Sequence, residues 1–233
     1  MFTQWDHLQD TNEGNLMMVN PDFTNLREVF GKESSGVANS YLKAVEMEPG
    51  RIVTIATSRD RTLQSGKIVD VRLGVYDDGG VWRQSEANAA AVDLTPLVPG
   101  GREPSQPTVG RYYDAYAVKA ASQPSYPARA KFLVSWADGP VQQEVLAAAN
   151  LQADFGVYLF DSARGTRQPI FNDENMWDVM ARPLEARSAP PVIAPSAPNE
   201  YSDQSFLLGS LDIRNSTINP SLGTIPPESM RVR

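Results

Sequence analysis

Trp5, Asp6 and His7 form the most chemically varied run in the chain, because an imidazole titrates near neutral pH and an adjacent carboxylate can orient its ring nitrogen. At the mouth of a sheet assembly the trio could bind a small ligand or serve as a general base. The plainer reading is that Asp6 and His7 hydrogen-bond a loop while Trp5 packs between sheets, since buried polar groups normally find partners. Arg59 and Asp60, followed by Arg61, come just after an apolar run and could hold a carboxylate or sugar hydroxyls. A local ion pair bracing the loop explains them as well, and exposed pairs of that kind contribute little. The acidic pairs Asp77-Asp78 and Asp173-Glu174 offer oxygen ligands for calcium but lack the spaced ladder of a dedicated calcium loop, so turn chemistry is the simpler role. Trp82, Trp136 and Trp177 could stack on a sugar, although large aromatics more often fill a core.

Other chemistries are closed or unsupported. Cysteine is absent, which excludes disulfides, thiolate-bound metal and the thioether attachment of c-type haem, and the single histidine, His7, leaves little for a multi-His metal site. No cofactor is expected. Ser135 stands before Trp136 without a G-x-S-x-G elbow, and Gly100-Gly101 lies in a Pro/Gly loop and opens no helix, so neither a nucleophile nor a phosphate cradle is indicated. A formal charge of -7, with no basic stripe, argues against nucleic acid as a partner. No apolar run approaches the length of a membrane-spanning helix, and Met1 to Asp10 lacks the basic and apolar regions of a secretory signal. The expected location is cytoplasmic, or periplasmic or extracellular if an upstream signal is missing.

These residues would be positioned by short strands. The 16 glycines and 18 prolines in 233 residues favour many brief elements joined by turns. Leu16–Val19, an Asn20-Pro21-Asp22 turn and Leu26–Phe30 read as a hairpin; Tyr41–Met47, Glu48-Pro49-Gly50 and Arg51–Thr57 read as a second, with Lys67–Leu73 as a third strand beside it. Tyr112–Val118 and Ala130–Trp136 repeat the plan, a short helix is expected within Gln142–Asn150, and Gly156–Phe160 pairs with Arg167–Phe171 through an Asp-to-Gly turn. The density of prolines between Arg182 and Pro198 fixes φ and removes donors, so that stretch should run extended as a brace, with a further strand at Ser205–Ile213. The expected fold is all-β: a partial β-propeller of about three to four blades over residues 1–181, a proline-rich brace or linker over 182–199, and the start of a β-rich middle domain over 200–233.

Trp5-Asp6-His7-Leu8-Gln9, Asn20-Pro21-Asp22-Phe23-Thr24-Asn25-Leu26-Arg27, Gly156-Val157-Tyr158-Leu159-Phe160-Asp161 and Arg182-Pro183…Arg187…Pro190-Pro191 resemble the propeller and middle domain of hydrazine synthase alpha subunit-like proteins. Gly209–Ile213 and Arg231-Val232-Arg233 resemble the strand pair that follows the proline segment in that family. The resemblance implies a seven-bladed TolB-type propeller, of which this chain supplies the later blades, in an exported bacterial protein. Its hydrazine-forming members carry c-type haem. With no cysteine to attach it, this sequence departs from that pattern, and the activity does not carry over.

The function expected on these grounds is a non-catalytic scaffold or interaction module that docks to other protein chains or to the remaining blades of a larger assembly. The alternative is a small-ligand-binding or hydrolytic domain using the propeller mouth, with Trp5, Asp6, His7, Arg59 and Asp60 lining it. Propellers host many unrelated functions, so the fold does not choose between the two.

Overall fold

The computed structural model describes residues 1–6, 13–19, 26–31, 40–48, 50–58, 62–73, 90–101, 109–118 and 131–184. They fall almost wholly in one compact unit, Met1–Met18 with Arg27–Arg187; a second unit comprises Val19–Leu26 and Ser188–Arg233. The first unit is built from strands β1 (Phe2–Asp6), β2 (Glu13–Met18), β3 (Arg27–Phe30), β4 (Ser40–Glu48), β5 (Arg51–Thr57), β6 (Lys67–Arg72), β7 (Ala90–Asp93), β8 (Arg111–Ala117), β9 (Lys131–Ala137), β10 (Gly156–Asp161) and β11 (Thr166–Phe171), with one short helix, α1 (Gln143–Ala149). The all-β class expected from the sequence is the class observed.

Among the described residues two sheets form, and neither closes on itself. The first holds seven strands in the order β1-β2-β4-β5-β6-β7, with β3 added alongside β2; the second holds four in the order β11-β10-β9-β8. Within the first sheet β4 to β7 form an antiparallel meander, joined to β2 by a single parallel pairing of Gly14 with Ser40. The second sheet is a four-stranded antiparallel meander in simple chain order. Sequence reading found three of the strands in the first meander and not the fourth, β7.

Strands β5 and β6 are buried on both faces, which is why they read as near-continuous runs of β-branched residues. Side chains alternate across a strand. Val53, Ile55 and Ile68 therefore meet Tyr112, Ala115, Phe132, Val134, Trp136 and Phe160 of the second sheet, while Ile52, Ala56, Val69 and Val71 pack on the other side with Leu16, Val29, Phe30 and Tyr41. Full burial of one such side chain stabilises by about 1.5–3 kcal/mol, so these paired cores are the main source of cohesion. Two backbone hydrogen bonds between Gly66 and Tyr112, 2.8 and 2.9 Å long, stitch the sheets together directly.

The helix sits in the connection between β9 and β10. It ends at Asn150, whose left-handed backbone (φ 52°) lets its N–H reach back to the Ala147 carbonyl, and it buries Leu146 against Val141 and Phe155. After β11 the chain crosses the second sheet's outer face. Trp177 Nε1 donates to the Ala153 carbonyl at 2.6 Å, the Asp178 N–H donates to the Phe155 carbonyl at 2.7 Å, and the Met180 N–H donates to the Asp114 carboxylate. The expected brace from residue 182 onward falls within the described residues only through Leu184, and the expected strand at 205–213 lies outside them.

Candidate functional site

Of the residues singled out from the sequence, Trp5 and Asp6 close strand β1, where their backbones pair with Gly14 and Glu13; their side chains, and all of His7, Arg59 and Asp60, lie outside the described residues. The base of the loop carrying Arg59 and Asp60 is described. Thr57 Oγ1 lies 2.9 Å from Thr62 Oγ1 and 2.7 Å from the Ser65 carbonyl oxygen, and all three residues are buried, so hydroxyls cinch the loop where it leaves β5. Trp136 is core, as the plainer reading has it. Trp177 is partly exposed and meets Phe155 and Tyr113 edge-on. The Asp173 carboxylate accepts from the Asn175 N–H at 3.0 Å, which is turn chemistry. Trp82, Asp77 and Asp78 lie outside the described residues.

Two constellations emerge that local spacing does not announce. The first is a cavity of about 390 Å³ between the turn after β7 and the β10–β11 turn. Leu94, Pro96, Leu97, Val98, Val109 and Phe160 supply apolar wall; Thr95, Tyr112 and Ser162 supply polar groups, and Arg167 the sole charge in the lining. The β10–β11 turn is fixed by its own sequence: the Asp161 carboxylate accepts from the Ala163 N–H at 3.0 Å, and Gly165 takes the left-handed φ of 64°. Cross-strand pairing of Arg167 with Phe160 then turns the guanidinium to the face that packs on the first sheet. There it lies 3.6 Å from the centre of the Trp136 ring and donates to Tyr112 Oη at 2.9 Å. Burial pushes the Tyr112 phenol upward, opposed by the Arg167 hydrogen bond and charge, so the hydroxyl keeps its proton at neutral pH.

The second constellation joins β4, β8, β9 and the segment after β11. Lys43 occupies a bulge in β4 with a left-handed φ of 55°, donates from Nζ to the Gln64 carbonyl at 2.7 Å and sits 3.4 Å from the centre of the Tyr113 ring. Burial pulls its ammonium down to about 7, with the Asp114 charge working the other way. Burial also raises the Asp114 carboxyl, against hydrogen bonds from the Met180 N–H and Ser135 Oγ and the charges of Arg182 and Lys43. Leu63, Gln64 and Met180 are left-handed too, at φ 54°, 55° and 58°. Non-glycine residues in this region carry strain that surrounding contacts must hold. Every polar group named here is spent on a neighbour, so the cluster ties elements together and presents no organised reacting centre.

Among the described residues no group of three or more His, Asp or Glu side chains is arranged to hold a metal ion, and no helix is long and apolar enough to cross a membrane. Fold and site together define a class: an all-β protein of stacked antiparallel meanders with an arginine-bearing pocket at one end of the sheet interface. No protein-family model, no curated protein and no solved structure matches the chain.

Proposed function

We propose that the chain is a non-catalytic scaffold of the propeller type, whose β8–β11 meander docks through its outer face to a further four-stranded meander of a larger assembly. The observation that carries this reading is the unequal treatment of the second sheet's two faces. Its inner face is covered by β5 and β6. Its outer face presents half-buried Tyr116, Leu133, Val157 and Leu159 in neighbouring registers, and Phe171, Met176, Met180 and Leu184 are exposed along the edge and strap beside them. Large apolar side chains grouped in this way mark contact surfaces. The occupant is argued from the inner face, where a meander of the same make already packs, as successive propeller blades do. Pro169 on edge strand β11 removes a donor from the sheet's rim, which disfavours strand addition and leaves face-to-face docking.

The sequence resemblance to hydrazine synthase alpha subunit-like propellers supports the same reading, and with it goes a periplasmic or extracellular location if an upstream signal is missing, without haem and without the hydrazine-forming reaction. Size-exclusion chromatography with light scattering tests the docking face. Concentration-dependent association is expected, and Phe171→Asp with Met180→Asp should abolish it while leaving the melting temperature within a few degrees. A chain that stays monomeric throughout, or association untouched by the double substitution, would remove the reading.

A further inference from the structure

The pocket beside Arg167 faces away from the proposed docking surface, and its chemistry is different. We infer that it is a binding site for a small monocarboxylate with an apolar body, the carboxylate taken by Arg167 and the body lying between Leu94, Leu97, Val98 and Phe160. The argument begins with the arginine. A guanidinium carries five N–H donors in a planar fork. Here one goes to Tyr112 Oη at 2.9 Å, and among the described residues no carboxylate pairs with the group. Stacking 3.6 Å from the Trp136 ring centre and anchoring on Tyr112 hold the fork in one place, so little side-chain freedom is lost when an anion arrives.

The wall selects the rest of the ligand. With one positive charge in an otherwise neutral lining, a single negative charge is matched, whereas a phosphate dianion would leave charge and acceptors unpaired. The apolar residues outnumber the polar ones, and a volume of about 390 Å³ is within the range of small-molecule sites. Tyr112 and Phe160, with ring centres 5.5 Å apart, form the floor, and Leu97, 85% exposed, offers its apolar side chain at the lip.

Isothermal titration calorimetry of the full chain with octanoate and phenylacetate, against octanamide and phenylacetamide, tests the inference. At least one carboxylate should bind saturably with one site per chain, and its amide should bind about tenfold or more weaker, the ratio a charge-assisted hydrogen bond provides. Arg167→Met should lower carboxylate affinity by about the same factor and bring acid and amide together. Because that substitution also removes the stack on Trp136, Leu97→Asp gives an independent reading: it sits on the surface, leaves the fold alone, weakens acid and amide alike through lost apolar contact, and should weaken the carboxylate further by charge repulsion. Equal binding of acid and amide, an unchanged Leu97→Asp variant, or no saturable binding of either carboxylate below about 10 mM would overturn the assignment.

Discussion

Arg51 and Asp70 face one another diagonally across β5 and β6, with the Arg51 Nε to Asp70 Oδ1 distance at 2.9 Å and the side chains only 8% and 2% exposed. The pair lies on the face that carries Val53, Ile55 and Ile68, so it is a charged inclusion at the margin of the inter-sheet core. Removing the Asp70 carboxylate takes the paired charge from a guanidinium that stays in a low-dielectric site. Asp70→Ala should therefore destabilise by about 3–5 kcal/mol, measured by urea unfolding. Replacing both, as Arg51→Met with Asp70→Leu, should restore most of that loss, because apolar groups of similar volume fill the site without a desolvation cost. A double variant as unstable as Asp70→Ala would mean that the pair contributes more than its own neutralisation.

Glycines divide by what stands around them. A Cβ at Gly66 would lie 2.1 Å from the Ala56 carbonyl oxygen, and one at Gly110 would lie 1.9 Å from the Ala137 carbonyl oxygen with φ at +36°. Neither neighbour is a movable side-chain end. Gly66→Ala and Gly110→Ala should each cost about 3 kcal/mol through forced backbone shifts, and Gly66→Ala should also break the stitch to Tyr112. Gly165 has φ +64° and nothing within 4 Å of a built Cβ, so Gly165→Ala should cost about 1 kcal/mol from conformation alone. Thermal melts of the three variants should separate them into two groups.

The strands that sequence reading located are those whose residues announce themselves. The runs at Tyr41–Met47, Arg51–Thr57, Lys67–Leu73 and Ala130–Trp136 are rich in β-branched and aromatic residues and bounded by turns. Strand β7, Ala90-Ala91-Val92-Asp93, has little intrinsic preference for a strand and is held by pairing with β6. Strand β2 begins at Glu13, three residues before the apolar run at Leu16, because Glu13 to Asn15 pair with β1. The arginine pocket was illegible for a related reason. Arg167 stood within a recognised strand, yet Leu94–Val98, Tyr112 and Phe160 come to it only through tertiary packing, and no local spacing encodes that convergence. The sequence singles out His7 and Arg59 as candidates because their neighbours in the chain carry varied chemistry, and it gives Lys43 and Asp114 no weight because theirs do not.

Lys43 links that missed cluster to pH. In the unfolded chain its ammonium titrates near 10.5, and in the folded protein burial brings this to about 7, despite the opposing charge of Asp114. Between those two values the unfolded state binds more protons than the native state, so stability should rise as pH increases from about 7 toward 10. Below about 7 both states hold the proton and the full penalty of the buried charge is present. Raised Tyr112 and Tyr158 phenols act oppositely, since the unfolded chain loses their protons first, but only from about pH 10 upward. Asp114, raised by burial, also acts oppositely to Lys43, lowering stability as pH climbs above the ordinary carboxylate range. Urea midpoints measured from pH 6.5 to 9.5 should therefore climb in the native protein, whereas Lys43→Met, which keeps the aliphatic stem over Tyr113 without the charge, should be more stable at pH 6.5 and show a flattened profile. If Lys43→Met kept the native slope, the proton release would have to come from another group, and the contact with the Gln64 carbonyl would be holding a permanently charged ammonium in place.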